Sequence, residues 1–265
     1  MVWKDLPRRL EGCNIQPNTQ HLHQYFLVDE EALHTTITLA EIEPDDKVLE
    51  IGAGVGNITE LLAQEAKSVV AFEIDSRFRP FLDPLQDRFP NLKVCYRDIK
   101  RTQWPKFNRL VANIPFNVLE PTLPMLTQAK FRSAVLIVGR QFRDSVMDSF
   151  KEGRITKLAA VLHSFFLVEE LRVIAREKFY PMPTTDAIIV ELIPAIPRSP
   201  FLQFCRALFK NPTMLVEHVF TIHGASNEGR KVRKHNVALP IDIARKRSDR
   251  LSNSDLQRLF EIFSK

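Results

Sequence analysis

Between Lys47 and Ile193 short runs of aliphatic and β-branched residues alternate with segments of helical periodicity, and few folds accept that alternation. The candidate strands are Lys47–Ile51, Ser68–Glu73, Leu92–Tyr96, Arg109–Ala112, Ser133–Val138, Glu170–Ala175 and Ala187–Ile193. Periodic segments such as Ile58–Ala66 and Arg77–Arg88 lie between the early ones. Parallel strands need a long crossover, usually a helix, and the helices then cover both faces of the sheet. The expected fold is therefore α/β: a doubly wound, Rossmann-like sheet. The last two strands follow one another across the turn Tyr180-Pro181-Met182-Pro183, which fits an antiparallel pair at a sheet edge.

Three prolines in Pro194-Ala195-Ile196-Pro197-Arg198-Ser199-Pro200 oppose helix and sheet alike and set a junction there. Two domains are expected, residues 1–195 and a small helical domain over residues 196–265. In the second, Phe201–Phe209, Thr213–Thr221, Ile241–Arg245 and Ser254–Phe263 read as short helices, the last with Ser252 or Ser254 as N-cap. The charge divides at the same place. Residues 1–195 carry 24 Lys+Arg against 26 Asp+Glu, whereas residues 196–265 carry 13 against 6. A basic appendage is what a phosphate-binding footprint looks like, and it is equally what a solvated helical face looks like. Within it Arg230, Lys231, Arg233 and Lys234 are the expected phosphate contacts.

Three widely separated cysteines, Cys13, Cys95 and Cys205, give neither a disulfide framework nor a zinc site, so no metal is expected and a reducing, cytoplasmic setting is. The N-terminus lacks the apolar core of a signal peptide, and no apolar run approaches membrane-spanning length.

The first strand leaves the sheet through Glu50-Ile51-Gly52-Ala53-Gly54-Val55-Gly56-Asn57. Glycines let a backbone turn tightly and approach a ligand. The loop fails the dinucleotide fingerprint G-x-G-x-x-G, because Asn57 stands where the third glycine belongs. It fits the E-x-G-x-G-x-G form of S-adenosylmethionine enzymes, whose cofactor has no pyrophosphate to seat. Glu73 ends the second strand, where a carboxylate accepts both hydroxyls of a ribose, with Ile74 beside it. Asp98 follows the third strand and suits an adenine amine, with the Ile99 backbone next to it. Any one of these acids is explained as a helix cap or a surface charge. Three at successive strand ends point to a ligand, since ligands bind outside the carboxyl ends of such strands.

Directly after the fourth strand stands Asn113-Ile114-Pro115-Phe116. Methylating an aromatic amine needs no strong base; the nitrogen lone pair must be turned out of conjugation and aimed at the methyl group. The Asn113 side-chain oxygen and the Ile114 carbonyl are the two acceptors for the amine hydrogens. Pro115 stiffens the turn, and Phe116 offers a face for stacking. An ordinary strand-ending turn also uses Asn and Pro, so the segment gains its meaning from the cofactor half before it.

These residues resemble the ribosomal RNA adenine N6,N6-dimethyltransferases, a family that includes small-subunit biogenesis enzymes and the erythromycin-resistance methylases. The resemblance runs from His23-Gln24-Tyr25-Phe26-Leu27-Val28-Asp29, similar to G-Q-x-F-L-x-D, through the glycine loop, Glu73, Asp98 and Asn113–Phe116. It continues through Phe179–Asp186, similar to F-x-P-x-P-x-V-D, to Gly229–Arg233 and Arg247–Ser252. It implies a Rossmann-like methyltransferase sheet with a helical C-terminal domain, S-adenosylmethionine as cofactor, and ribosomal RNA or a pre-ribosomal subunit as partner of a monomer. It also implies cofactor binding by Gln24, Phe26, Leu27, Glu50, Gly52, Gly54, Gly56, Glu73, Ile74, Asp98, Ile99 and Asn113, with Asn113, Phe116 and Phe179 positioning the adenine. The chain departs from the family pattern at His23, in place of Gly, at Asn117-Val118-Leu119-Glu120-Pro121, and at Gly139-Arg140-Gln141-Phe142-Arg143. The expected activity is adenine N6-methylation of small-subunit rRNA. A large-subunit methylase conferring macrolide resistance and a non-catalytic nucleic-acid-binding descendant are the alternatives.

Overall fold

The computed structural model describes residues 5–225 and 239–264. It divides into two compact units, Met1–Arg140 with Glu169–Ile193, and Gln141–Val168 with Pro194–Lys265. The expected junction at 195/196 lies beside the crossing at Ile193/Pro194. The difference is an earlier excursion: residues 141–168 group with the C-terminal helices, because their apolar side chains share that unit's core.

Seven strands form the main sheet: β1 (Lys47–Ile51), β2 (Ser68–Glu73), β3 (Leu92–Tyr96), β4 (Arg109–Asn113), β5 (Ser133–Gly139), β6 (Phe166–Ile174) and β7 (Ala187–Pro194). Their order is β3-β2-β1-β4-β5-β7-β6. The first five are parallel to their neighbours, and β7 runs antiparallel to β5 with Leu136 opposite Val190. The order reverses between β1 and β4, which opens a crevice at their carboxyl ends. Burial from Ser133 through Val138 is continuous, as a strand covered on both faces requires. As the sequence suggests, the last two strands, β6 and β7, lie side by side at one edge of the sheet. β7 inserts beside β5, β6 takes the edge, and Phe179–Tyr180 leaves to pair antiparallel with Phe26–Leu27.

The helices of the first unit are α1 (Leu6–Gly12), α2 (Glu30–Leu39), α3 (Asn57–Glu65), α4 (Arg79–Arg88) and α5 (Phe116–Leu126). The side chain of Asp29 caps α2 by accepting from the Ala32 amide at 2.9 Å. The periodicity gave α3 and α4 to within a few residues, the first turn of the Arg77–Arg88 segment being a 3-10 turn, Ser76–Phe78. Helix α5 carries Pro121 and Pro124 internally, and the burial of Leu119, Leu123 and Leu126 holds it. At the amino ends of β1 and β4, the fully buried Asp46 accepts from Asn108 at 2.6 Å, from Arg109 at 3.3 Å and from Arg132. The opposite, carboxyl ends carry the site.

The second unit contains a π-helical turn over Arg143–Asp148, α6 (Lys157–Phe165), α7 (Pro200–Lys210), α8 (Val216–Ala225) and α9 (Asn253–Phe263). Its core joins Ile155 and Ala160 to Phe201, Phe204, Cys205, Leu208, Val216, Ile243, Leu256 and Leu259. Ser252 caps α9 in a reciprocal capping box with Asp255. The helix expected over 213–221 starts later, at Val216. Residues 212–216 pair instead with 246–249: Val216 donates to the Lys246 carbonyl at 2.9 Å and Ser248 to Met214 at 3.0 Å. Strand β6 starts earlier than the expected Glu170, because α6 runs directly into it at Phe166.

Candidate active site

Gly52, Gly54 and Gly56 all adopt positive φ, at 81°, 55° and 83°. At two of them space decides as well. A Cβ on Gly54 would stand 2.9 Å from the Phe26 ring, and one on Gly56 would stand 2.5 Å from Leu85. Glycine thus lets Phe26 lie against the loop and α4 pack beneath it. Phe26 is buried and meets Phe78 edge-on with centroids 5.4 Å apart. Asn57, which breaks the dinucleotide pattern, has a positive task. Its amide nitrogen donates to the Leu27 carbonyl and its oxygen accepts from the Ile58 amide at 2.9 Å.

Glu73 lies at the tip of β2, 6% exposed, and accepts from the Gly54 amide at 2.7 Å and the Asp75 amide at 2.8 Å. Burial pushes its carboxyl above the usual range, against the pull of those amides. Each carboxylate oxygen has two lone pairs, so one acceptor site on each remains for a diol. Ile74 follows with 52% of its surface exposed, an apolar face beside that carboxylate. Asp98 accepts from the Lys100 amide at 3.0 Å and caps the 3-10 turn Ile99–Arg101, while Ile99 is buried. The cap reading of Asp98 therefore holds, and its second oxygen, Oδ2, faces Lys100 Nζ and Arg101 Nε, each at 3.9 Å. Glu50 is 1% exposed with Oε2 lacking a hydrogen-bond partner, and burial pushes its carboxyl up to about 8.

Asn113 ends β4. Its Nδ2 donates to the Tyr25 carbonyl at 2.8 Å, which fixes the amide and turns Oδ1 into the available acceptor. The Asn113 carbonyl lies 3.5 Å from where a Gly52 Cβ would be, so the two loops abut. Ile114 is buried and donates to the Ile137 carbonyl at 2.9 Å. Pro115 occupies the N-cap position of α5 without a side-chain cap, and the helix opens on Phe116. Phe179 is buried at 5% exposure and packs in the core with Phe26 and Leu27. Gln24 is committed too: its Nε2 donates to Asp75 at 2.9 Å and its Oε1 accepts from the Asn18 amide at 2.7 Å.

The glycine loop, the acids at three strand ends and the aimed asparagine are joined by a match in sequence. A family model described as ribosomal RNA adenine dimethylase covers residues 16–259. The chain belongs to this family. Among its relatives, "Ribosomal RNA small subunit methyltransferase A" of Thermotoga neapolitana is 28% identical, over 92% of this chain and 91% of that protein. A dimethyladenosine transferase of Plasmodium falciparum superposes with a TM-score of 0.59 at 26% identity, covering 87% of this chain and 94% of that one. The 23S rRNA methyltransferase ErmE shares the fold, with a TM-score of 0.60 at 22% identity over 91% of this chain and 100% of that one. As a member of the dimethylase family the chain is an rRNA adenine methyltransferase with a Rossmann-like sheet.

The departures from the family pattern have structural accounts. His23, where the family places Gly, sits at φ 49°, a left-handed conformation that His tolerates better than most side chains. Residues 117–121 form the first turns of α5, and residues 139–143 lead from β5 into the π-helical turn. Four participants escape a motif reading: Tyr25 acts through its backbone, Asn57 and Asp75 hold other residues, and Lys178 reaches across 149 positions to Asp29. Only Asn57 left a signal, a side chain with both donor and acceptor at a glycine position. Arg230, Lys231, Arg233 and Lys234 lie outside the described residues. Among the described residues no helix is long and apolar enough to cross a membrane, and Cys13, Cys95 and Cys205 are free thiols.

Proposed function

We propose that the chain transfers methyl groups from S-adenosylmethionine to the N6 amine of adenosine in small-subunit ribosomal RNA. The observation that carries this reading is the Asn113 amide, fixed by the Tyr25 carbonyl so that Oδ1 is its acceptor beside the glycine loop. The relative from Thermotoga neapolitana supports the small-subunit assignment by its name and by matching nearly end to end.

The residues present fit the cofactor. Glu73 would hold the ribose diol, Asp98 and the Ile99 amide would take the adenine edge, and Ile74 would provide an apolar face. Gly52, Gly54 and Gly56 give the close backbone approach, with Glu50 buried below them. Gln24, Phe26 and Leu27 act on the cofactor side by holding the segment that lies against the loop. When bound, S-adenosylmethionine supplies an electrophilic methyl group. Asn113 Oδ1 and the Ile114 carbonyl would accept hydrogen bonds from the two amine hydrogens of adenine, which draws the nitrogen towards a pyramidal, nucleophilic form. This is positioning, and it acts chiefly in the transition state. One of those hydrogens would leave to solvent as a proton once the nitrogen is methylated. Pro115 holds the turn, Phe116 stacks on the base and Phe179 backs the pocket from the core. The basic tract with Arg230, Lys231, Arg233 and Lys234 grips RNA phosphates, and the protein works as a cytoplasmic monomer on rRNA or a pre-ribosomal subunit.

Asn113→Ala tests the mechanism. Single-turnover methyl transfer should fall by about 100-fold or more, the loss of roughly 3 kcal/mol of transition-state stabilisation. Cofactor affinity by calorimetry should change by less than about threefold, since the lost acceptor matters in the reacting complex. An unchanged rate, or a loss confined to cofactor binding, contradicts the role.

A further inference from the structure

Residues 24–29 run as a strap across the crevice, tied to the first unit at several points. Gln24 holds Asp75 at 2.9 Å, the Tyr25 carbonyl holds Asn113 at 2.8 Å, and the Leu27 carbonyl holds Asn57. Phe26 and Leu27 pair with Tyr180 and Phe179. A ladder of two residues per strand has little stability of its own. Its far end is closed by two contacts to one residue. The Val28 amide donates to the Lys178 carbonyl at 2.9 Å, and Lys178 Nζ donates to Asp29 Oδ1 at 3.0 Å, with Glu31 at 3.6 Å. Asp29 Oδ1 also accepts the Ala32 amide that starts α2, so the strap, the helix and the Phe179 segment meet at one carboxylate.

We propose that Lys178 is a positioning residue for methyl transfer: by clamping the strap through Asp29 it holds the Tyr25 carbonyl where it aims the Asn113 amide. The Asn113 nitrogen has its partner on the strap, so slack in the strap frees the amide to rotate, and a rotated amide presents a donor where the adenine amine needs an acceptor. The clamp also joins the two residues proposed to position the base, because the strap that orients Asn113 pairs with the strand that carries Phe179. Lys178 touches no reacting atom. Its pair with Asp29 is about one-third exposed at both ends, so its effect is of the modest size of a surface ion pair.

The inference rests on the adenine N6-methyltransferase reading. The test is single-turnover methyl transfer to unmodified small-subunit rRNA with saturating cofactor and RNA, alongside cofactor affinity by calorimetry. Lys178→Met keeps the stem and removes the charge; Asp29→Asn keeps the helix cap and removes the charge. Each should slow transfer about three- to fivefold with cofactor affinity held within about twofold, and Lys178→Arg should restore most of the rate. In an Asn113→Ala background the Lys178→Met effect should shrink to below about 1.5-fold, because the two act through one amide. A full rate in both charge-removing variants of an active parent overturns the clamp. So does an effect that persists undiminished in the Asn113→Ala background, or one that cofactor affinity accounts for. A parent that transfers no methyl to adenine N6 overturns the underlying reading, and the clamp with it.

Discussion

Glu50 and Glu73 are two carboxyls sunk in the end of one sheet, and their surroundings differ in what they offer a negative charge. Glu73 receives two backbone amides, whereas Glu50 has an oxygen with no partner and is held by burial at about 8. In the unfolded chain a glutamate titrates near 4.5. Below that value both states of the protein hold the Glu50 proton. As pH rises from about 4.5 to about 8 the unfolded chain ionises while the native one does not, so stability declines across this window and levels off above it. Glu73, shifted upward by burial, contributes in the same direction. Glu50→Gln, neutral at every pH, should therefore gain stability over the parent between pH 5 and pH 8, by up to about 1.4 kcal/mol per pH unit. Urea denaturation at pH 5, 6.5 and 8 reads this difference, and parallel profiles would refute it. The acids themselves were legible in the sequence because each stands at a strand tip. Their different protonation was not, since it depends on which amides fold towards them. The acceptor role proposed for Asn113 comes from the same positional reasoning, while the carbonyl that holds its amide belongs to Tyr25, 88 residues earlier, and a backbone atom leaves no trace in residue identity.

At the scale of elements, the glycine loop is a packing junction that opens α3 and lies against α4. Gly56 has φ 83°, and a Cβ there would stand 2.5 Å from Leu85 and 3.1 Å from Leu82, both on α4. Gly56→Ala combines left-handed strain with a clash against buried side chains, and should cost about 2–4 kcal/mol of stability. Gly12→Ala, where nothing lies within 4 Å of the added carbon, provides the control. Equal denaturation midpoints for the two variants would show that the loop relaxes freely. The parallel strands β1, β2 and β3 could be read residue for residue, because continuous aliphatic runs bounded by polar residues leave little choice of register. Helix α5 could not: two internal prolines argue locally against a helix that burial of Leu119, Leu123 and Leu126 sustains. The late start of α8 was hidden for a related reason, since residues 212–216 are drawn into pairing with 246–249, far away in sequence.

For the whole molecule, the proline-rich stretch 194–200 marks one crossing between the two units, but the other two, at 140/141 and 168/169, carry no such punctuation. Residues 141–168 group with the C-terminal helices through apolar packing of Ile155 and Ala160, which periodicity alone does not assign to one core or another. The activity proposed for the chain is methyl transfer to adenine N6 in small-subunit rRNA. Incubating the full chain with S-adenosylmethionine and, separately, unmodified small-subunit and large-subunit rRNA, then separating nucleosides after complete digestion, tests that proposal directly. N6-methyladenosine and N6,N6-dimethyladenosine should appear in the small-subunit RNA and stay at background in the large-subunit RNA. Methyl groups on any other atom, on the large-subunit RNA alone, or on neither RNA would contradict it.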